Sequence, residues 1–133
     1  MIDTGKIIFI IYVEDQSKSR DFYSALFDRA PALDVDGMTE IKLSETTYLG
    51  LLPGNGIVEI LEGNIDNPNQ NTAYPRCEIY LYVDSPERYY ERSLSLGARG
   101  ISEAKQRNWG DFTSYVADFD GNILAFGKRR EIS

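Results

Sequence analysis

The sequence predicts an α+β fold built from two βαβββ modules. The order β-α-β-β-β can be read twice, and the offset between Tyr12 and Tyr82 also aligns Leu26 with Leu96. The second copy of this order ends in a hairpin within 109–126, where aromatic and β-branched runs flank an Asp-Gly turn. The alternative is a ferredoxin-like or other α+β sandwich. At 133 residues, the chain suits a single domain, residues 1–133, that contains both modules.

The composition excludes several classes of protein. An apolar content of 42% is too high for a disordered chain, and a net charge of −7 disfavours nucleic acid and anionic membranes as partners. The acidity would suit a cationic ligand, although it is also an ordinary route to solubility. The absence of histidine removes the usual neutral-pH base and the commonest metal ligand, and it excludes Ser-His and Cys-His nucleophile pairs.

The chain is expected to be cytoplasmic and reduced. Its single cysteine, Cys77, cannot form an intramolecular disulfide, and the first residues lack the pattern of a signal peptide. The longest apolar run, 7–11, is much shorter than a membrane span. Cys77 itself is expected to be buried on the helix side and inert.

Module one is predicted over about 6–61. Residues 6–13 are apolar and β-branched at consecutive positions, which is typical of a strand buried on both faces. Asp15 or Ser17 is placed to cap a helix over 17–27. Three short strands are expected next, at 32–35, 38–43 and 46–52. The apolar segment that ends the module, 57–61, is compatible with a helical turn or an edge strand.

Module two is predicted over 77–128, after an Asn-rich linker at 62–76. It begins with a β-rich run over 77–83. Ser85 is then placed to cap a helix whose first position is Pro86, and this helix ends near Leu96. The remaining strands are expected at 98–102, 112–117 and 123–126. The two arginines that follow, Arg129 and Arg130, are expected to be solvated.

The closing hairpin carries the most specific resemblance in the chain. Its turn reads Asp-Phe-Asp-Gly-Asn over 118–122 and resembles the Asp-x-Asp-Gly turn of the glyoxalase, bleomycin-resistance and extradiol dioxygenase superfamily, the vicinal oxygen chelate fold. With the repeat, the resemblance covers about 6–128. It implies two modules whose curved mixed sheets surround a shared pocket. It also implies a homodimer in which modules from two chains complete each pocket.

The same resemblance places four metal-ligand positions at Ile8, Gly50, Glu78 and Ala125. Of these side chains, only that of Glu78 could coordinate a divalent cation. If the apolar segment 57–61 were the last strand of module one, Glu59 rather than Gly50 would be the candidate for that metal-ligand position. We therefore expect no metal and no cofactor.

Strand alternation and the resemblance together predict an aromatic pocket. On the repeat strand, residues 78, 80 and 82 share a face, while Ile79 and Leu81 should pack on the helix. The resemblance turns Thr113 and Ala125 inward as well. The predicted ligand-binding residues are Tyr12, Glu78, Tyr80, Tyr82, Trp109 and Tyr115. Each of these residues also has an alternative role. The tyrosines could be core residues, and Glu78 could be the exposed end of a strand. Trp109 could cover the pocket mouth or the dimer seam.

The function implied is that of a metal-free, bleomycin-resistance-like protein that binds a small organic molecule, which could be cationic. One alternative is a metal-independent lyase or isomerase in which Glu78 or a tyrosine moves a proton. A second is a metal-dependent enzyme of the glyoxalase or dioxygenase type. A third is an interaction domain without a small-molecule role. The sequence assigns no catalytic residue and leaves open whether the protein is an enzyme.

Overall fold

The fold was analysed in a computed structural model that describes residues 2, 5–70 and 74–130. The chain divides into two compact units, residues 1–71 and 72–133. The division falls inside the segment predicted to be a linker, 62–76.

Unit one contains one mixed sheet and two helices. Its elements are β1 (Ile7–Val13), α1 (Gln16–Phe27), β2 (Leu33–Val35), β3 (Met38–Lys42), β4 (Thr47–Pro53) and α2 (Gly54–Ile60). The strand order is β1-β4-β3-β2, with β1 parallel to β4 and the other pairs antiparallel. The strand β1 therefore lies at an edge of the sheet.

The core of unit one forms where α1 packs on this sheet. The helix begins because the Asp15 side chain accepts a hydrogen bond from the Lys18 backbone N–H, and it ends at Asp28, whose φ of 53° is left-handed. The buried apolar side chains of this layer are Ile11, Val13, Phe22, Tyr23, Leu26, Ile41, Leu49 and Leu51. The α1 stripe and one face of the strands thus meet as the sequence pattern predicts.

Unit two repeats this topology. Its elements are β5 (Glu78–Tyr82), α3 (Pro86–Ser95), β6 (Arg99–Gln106), β7 (Asp111–Ala117) and β8 (Ile123–Arg129). The strand order is β5-β8-β7-β6, with β5 parallel to β8 and the other pairs antiparallel. The predicted α+β class with two similar modules is confirmed.

Two local interactions set the shape of unit two. Ser85 caps α3 by accepting from the Arg88 backbone N–H, and Pro86 occupies the first turn. In the β7–β8 turn, the buried Asp118 carboxylate accepts from the backbone N–H groups of Asp120 and Asn122. The Asp-x-Asp-Gly-Asn sequence therefore folds the hairpin by bonding to its own backbone.

Several boundaries differ from the predictions. The ambiguous segment 57–61 lies largely in α2, so Glu59 is on a helix and Gly50 lies in the last strand of the unit. The linker contains a short 3-10 turn, Pro68–Gln70, beside which Asn69 donates to the Val13 carbonyl. Cys77 lies just before β5 and is half-buried rather than fully buried, with its thiol 3.4 Å from Asn122 Oδ1. No helix in the described part of the chain is long and apolar enough to span a membrane.

Candidate functional site

Unit two presents the tyrosines of its strands on the sheet face opposite α3. The register sets Tyr80 beside Ala125, and a side-chain carbon at Gly127 would lie 2.7 Å from the Tyr80 ring, so these three residues share that face. On the other face, Phe126 contacts the Tyr89 ring of α3 at 5.4 Å between centroids. We call the first surface the tyrosine face and define it by Tyr80, Tyr82 and Tyr115 together with the side chains that contact them.

The neighbouring strands confirm which residues belong to this face. Thr113 pairs with Gly127 and Tyr115 pairs with Ala125 in the register of β7 with β8. The Thr113 hydroxyl lies 2.8 Å from Tyr80 Oη. The expected side-chain alternation, with Thr113 and Ala125 on the same face as the repeat-strand tyrosines, is therefore observed.

Asp111 joins the two tyrosines of β5. Its Oδ2 atom accepts hydrogen bonds from Tyr80 Oη at 2.7 Å and from Tyr82 Oη at 2.8 Å. The two rings lie 5.5 Å apart between centroids, with 55° between their planes. One carboxylate oxygen thus fixes the orientation of both phenols.

The Asp111 carboxylate is fully buried, yet it remains ionised. The hydrogen bond from Tyr80 is the largest cause that lowers the pKa of Asp111 below 3.8, and Tyr82, Trp109 and Arg129 act in the same direction against burial. Its Oδ1 atom has no hydrogen-bond partner among the described residues and faces the Arg129 guanidinium at 3.6 Å. The same hydrogen bond to Asp111 is the main cause that raises the pKa of Tyr82 above 10.0.

Trp109 and Arg129 close one end of the tyrosine face. The Trp109 indole N–H donates to Tyr80 Oη at 3.1 Å, while its backbone carbonyl accepts from Arg129. Between them, Gly110 has a φ of +98°, and a side-chain carbon there would lie 2.6 Å from Arg129 Cζ. Only glycine combines this backbone conformation with this close approach. Arg129 therefore contacts the site as the last residue of β8, although its side chain is 57% exposed, as expected of a solvated residue.

Arg107 covers another part of the same face. Its guanidinium carbon lies 5.0 Å from the centroid of the Tyr115 ring. Its Nε and Nη2 groups both donate to the Thr113 carbonyl, at 3.2 and 2.8 Å, and Nη2 also donates to Ser102 Oγ at 2.8 Å. These contacts hold the guanidinium in place over the Tyr115 ring.

Glu78 lies at the far end of the face from Asp111. It is exposed and pairs with Ile123 in the sheet register. Burial raises the pKa of Tyr115 above 10.0, and the negative charge of Glu78 adds to that effect. The structure therefore brings Tyr80, Tyr82 and Trp109 together directly, with Tyr115 beside Arg107 and Glu78 at the edge.

Tyr12, the remaining predicted ligand-binding residue, belongs to unit one. It is half-buried and pairs with Leu52 in the register of β1 with β4. By strand alternation it shares a face with Ile8 and Ile10, whose side chains both approach Gly50 closely. The role of this surface in ligand binding stays a prediction.

The residues present do not fit the four-ligand metal site that the resemblance implies. Gly50 has no side chain, and a carbon added there would lie 3.0 Å from the Ile8 methyl group, so apolar groups fill that position. Ala125 is fully buried beside Tyr80. Among the residues that the structure describes, no three acidic, cysteine or histidine side chains are grouped so that they could hold a metal ion.

Two residues that organise the tyrosines, Asp111 and Arg129, were not among those predicted from the sequence. The predicted strand began at residue 112, so Asp111 was left outside it, although it has the same parity as Thr113 and Tyr115. The predicted return strand ended at residue 126, which left out Arg129 although it has the parity of Ala125. Extending the first strand by one residue and the second by three would have found both.

A separate depression of about 460 Å³ lies along α3, lined by Asp84, Glu87, Arg88, Tyr89, Glu91 and Arg92. These residues lie on and just before the helix that covers the opposite side of the sheet. This depression is a solvated charged groove that is distinct from the tyrosine face.

Solved structures with the same fold include three that cover nearly all of the chain. A hypothetical protein from S. aureus is 21% identical with a TM-score of 0.78, over 96% of this chain and 94% of that one. A glyoxalase-related enzyme from Fulvimarina pelagi is 18% identical with a TM-score of 0.77, over 91% and 85%. A glyoxalase/bleomycin resistance protein/dioxygenase family enzyme from Burkholderia phytofirmans PsJN is 12% identical with a TM-score of 0.80, over 96% and 99%.

At these identities, the structural similarity establishes the fold alone. No curated protein matches the sequence. The sequence pattern of one family, however, matches residues 7–126, which is most of the chain. Together with the two four-stranded modules and the intact Asp-x-Asp-Gly turn, this match identifies the family: the chain belongs to the Glyoxalase/Bleomycin resistance protein/Dioxygenase superfamily.

Proposed function

We propose that this protein binds a small organic molecule on the tyrosine face of unit two, without a metal ion. The observation that carries the proposal is the pair of hydrogen bonds to Asp111, in which one buried carboxylate oxygen orients Tyr80 and Tyr82. Tyr82 keeps 66% of its surface exposed although its hydroxyl is bound. A large aromatic surface that is fixed in orientation and open to solvent is suited to stacking against a flat ligand.

The state of the phenols favours binding over proton transfer. The pKa values of Tyr82 and Tyr115 are both raised above 10.0, so both side chains are neutral at physiological pH and neither is prepared to act as a base. The ionised Asp111 has its Oδ2 atom occupied by two hydrogen bonds. This chemistry supports recognition of a ligand rather than catalysis.

The metal-free part of the proposal rests on the donor set. Ile8, Gly50 and Ala125 stand where the related enzymes need ligands, and none offers a side-chain donor atom. Elemental analysis of the purified protein is expected to find no stoichiometric transition metal. About one zinc, nickel, iron or manganese per chain would contradict this.

We also propose that the protein works as a homodimer, in the cytoplasm. Three apolar side chains of the edge strand β1 are exposed: Ile7 at 41%, Phe9 at 63% and Ile10 at 42%. An apolar edge of this kind is protected when a second copy covers it. The single thiol of Cys77 suits a reducing compartment.

Native mass spectrometry of the purified protein tests the binding function, because a ligand retained from the cell adds a defined mass. The Tyr82→Ala variant should lose this mass or hold it more weakly by about 1–3 kcal/mol, since a contacting ring is removed. Lys18→Ala, on α1 of unit one, is the control and should retain the ligand as the wild type does. Equal retention by the Tyr82→Ala variant would contradict the proposed site.

A further inference from the structure

The charges on the tyrosine face differ from those of the chain as a whole. The chain is strongly acidic, at −7. The carboxylate that binds two of the tyrosines, Asp111, is fully buried, with two phenols on Oδ2 and Arg129 in front of Oδ1. A ligand on the surface of this face therefore meets the guanidinium groups of Arg107 and Arg129 before it meets Asp111.

Of these two cations, Arg107 keeps its charge available. Arg129 forms an ion pair with Asp111, whereas Arg107 makes no ion pair with any carboxylate in the described part of the chain. Its hydrogen bonds go to the Thr113 and Glu103 carbonyls and to the Ser102 hydroxyl. These neutral acceptors position a guanidinium without cancelling its charge.

Arg107 engages only some of its N–H donors in these hydrogen bonds. The Nε and Nη2 groups are engaged, and the Nη1 group makes no hydrogen bond with the described residues. The group lies over the Tyr115 ring, on the same face as the two oriented phenols. An anion bound by Nη1 would therefore be attached to a molecule that also touches tyrosine rings.

We infer that the tyrosine face takes a planar aromatic anion, such as an aromatic carboxylate, whose ring stacks on the tyrosines and whose charge is bound by Arg107. This inference rests on the proposed binding function and specifies its ligand class. It differs from the expectation of a cationic ligand, which was based on net charge. The exposed carboxylate Glu78 lies at the end of the face away from Asp111 and Arg129, where it disfavours a negative charge.

Three probes that share one ring system test the charge preference: 2-naphthoate, 2-naphthamide and (2-naphthyl)methylammonium. Their affinities are measured by isothermal titration calorimetry at low salt, where charge contributions are least screened. The carboxylate is expected to bind at least about tenfold more tightly than the amide, which is the order of one charge-assisted hydrogen bond. The ammonium probe is expected to bind most weakly.

The Arg107→Gln variant should remove this advantage, so that 2-naphthoate and 2-naphthamide bind alike. Arg107→Lys retains the charge without the planar fork and should keep part of the preference. Arg88→Gln on α3 removes the same charge from the other side of unit two and should leave the preference unchanged. Circular dichroism checks that each variant is folded.

The inference is overturned if the amide or the ammonium probe binds as tightly as the carboxylate to the wild type, or if none of the three binds. It is also overturned if Arg88→Gln weakens 2-naphthoate as much as Arg107→Gln does. The binding function is judged separately by the Tyr82→Ala variant. If that substitution weakens a neutral or cationic probe, the tyrosine face binds ligands and only the charge preference is wrong.

Discussion

At the scale of single residues, Asp111 holds the tyrosine face together. Strand alternation correctly put Tyr80 and Tyr82 on one face, because side-chain direction in a strand depends only on parity, and the resemblance put Tyr115 with them. It could not show that a buried carboxylate draws two of them together, since hydrogen bonds between strands depend on register. Register becomes visible only in the folded sheet, where Asp111 pairs with Arg129.

The lowered pKa of Asp111 predicts how its contribution to stability depends on pH. Because the pKa is below 3.8 in the folded state, the contribution is fully present above the unfolded-state value and is lost as the pH falls through the lowered value. Asp111→Asn should therefore lower Tm relative to the wild type at pH 5–7. The Tm difference should shrink steadily below about pH 4, as followed by circular dichroism.

Asp36→Asn, in an exposed turn of unit one, is the matched control for this substitution. It removes the same charge and should follow the wild type across the pH range. A Tm difference for Asp111→Asn that stays constant down to pH 2 would show that the ionised carboxylate does not stabilise the fold. The pKa of Tyr82 should also move down towards 10.0 in Asp111→Asn, because the charge that raises it is gone.

At the scale of elements, the residues at which the helices begin could be predicted from capping side chains in the sequence. Ser85 caps α3 as predicted, and of the two candidates at the first helix the structure selects Asp15. The segment at 57–61 could not be assigned from its sequence, since a short apolar run suits a helix or a strand equally. It became part of α2, which begins directly after β4.

The choice between the two cap candidates can be tested by mutation. Asp15→Ala removes the side chain that accepts from the Lys18 N–H and should lower the free energy of unfolding by about 1 kcal/mol. Ser17→Ala, inside the first turn of the same helix, should change it by less than about 0.5 kcal/mol. Chemical denaturation measures both, and the reverse order of effects would mean that Ser17 is the cap.

At the scale of the whole molecule, the repeat was the most useful feature of the sequence. It predicted two modules of equal topology, and both sheets have that strand order. The length and the apolar content are compatible with several folds. The internal repeat and the hairpin turn are the features that distinguished this fold from the others. The pocket shared between modules and the pairing of two chains depend on contacts that a single strand pattern does not encode, and they stay predictions.

The proposed homodimer predicts an association that depends on β1. Sedimentation velocity at micromolar concentration should give the mass of two chains. Phe9→Asp places a charge on the exposed apolar edge and should shift the protein towards monomer. Ile60→Asp, at a comparably exposed apolar position on α2, is the control and should remain dimeric. A wild type that sediments as a monomer would contradict the proposal.

The most direct test of the central claim is an NMR titration of protein with isotope-labelled tyrosine rings, using 2-naphthoate, 2-naphthamide and (2-naphthyl)methylammonium. If the tyrosine face binds ligands, at least one probe shifts the signals of Tyr80, Tyr82 and Tyr115 together. The signals of Tyr23, which is a buried residue of α1, and of Tyr89 on α3 should stay unchanged. Shifts confined to Tyr89 and Tyr90, or no shift with any probe, would contradict the account.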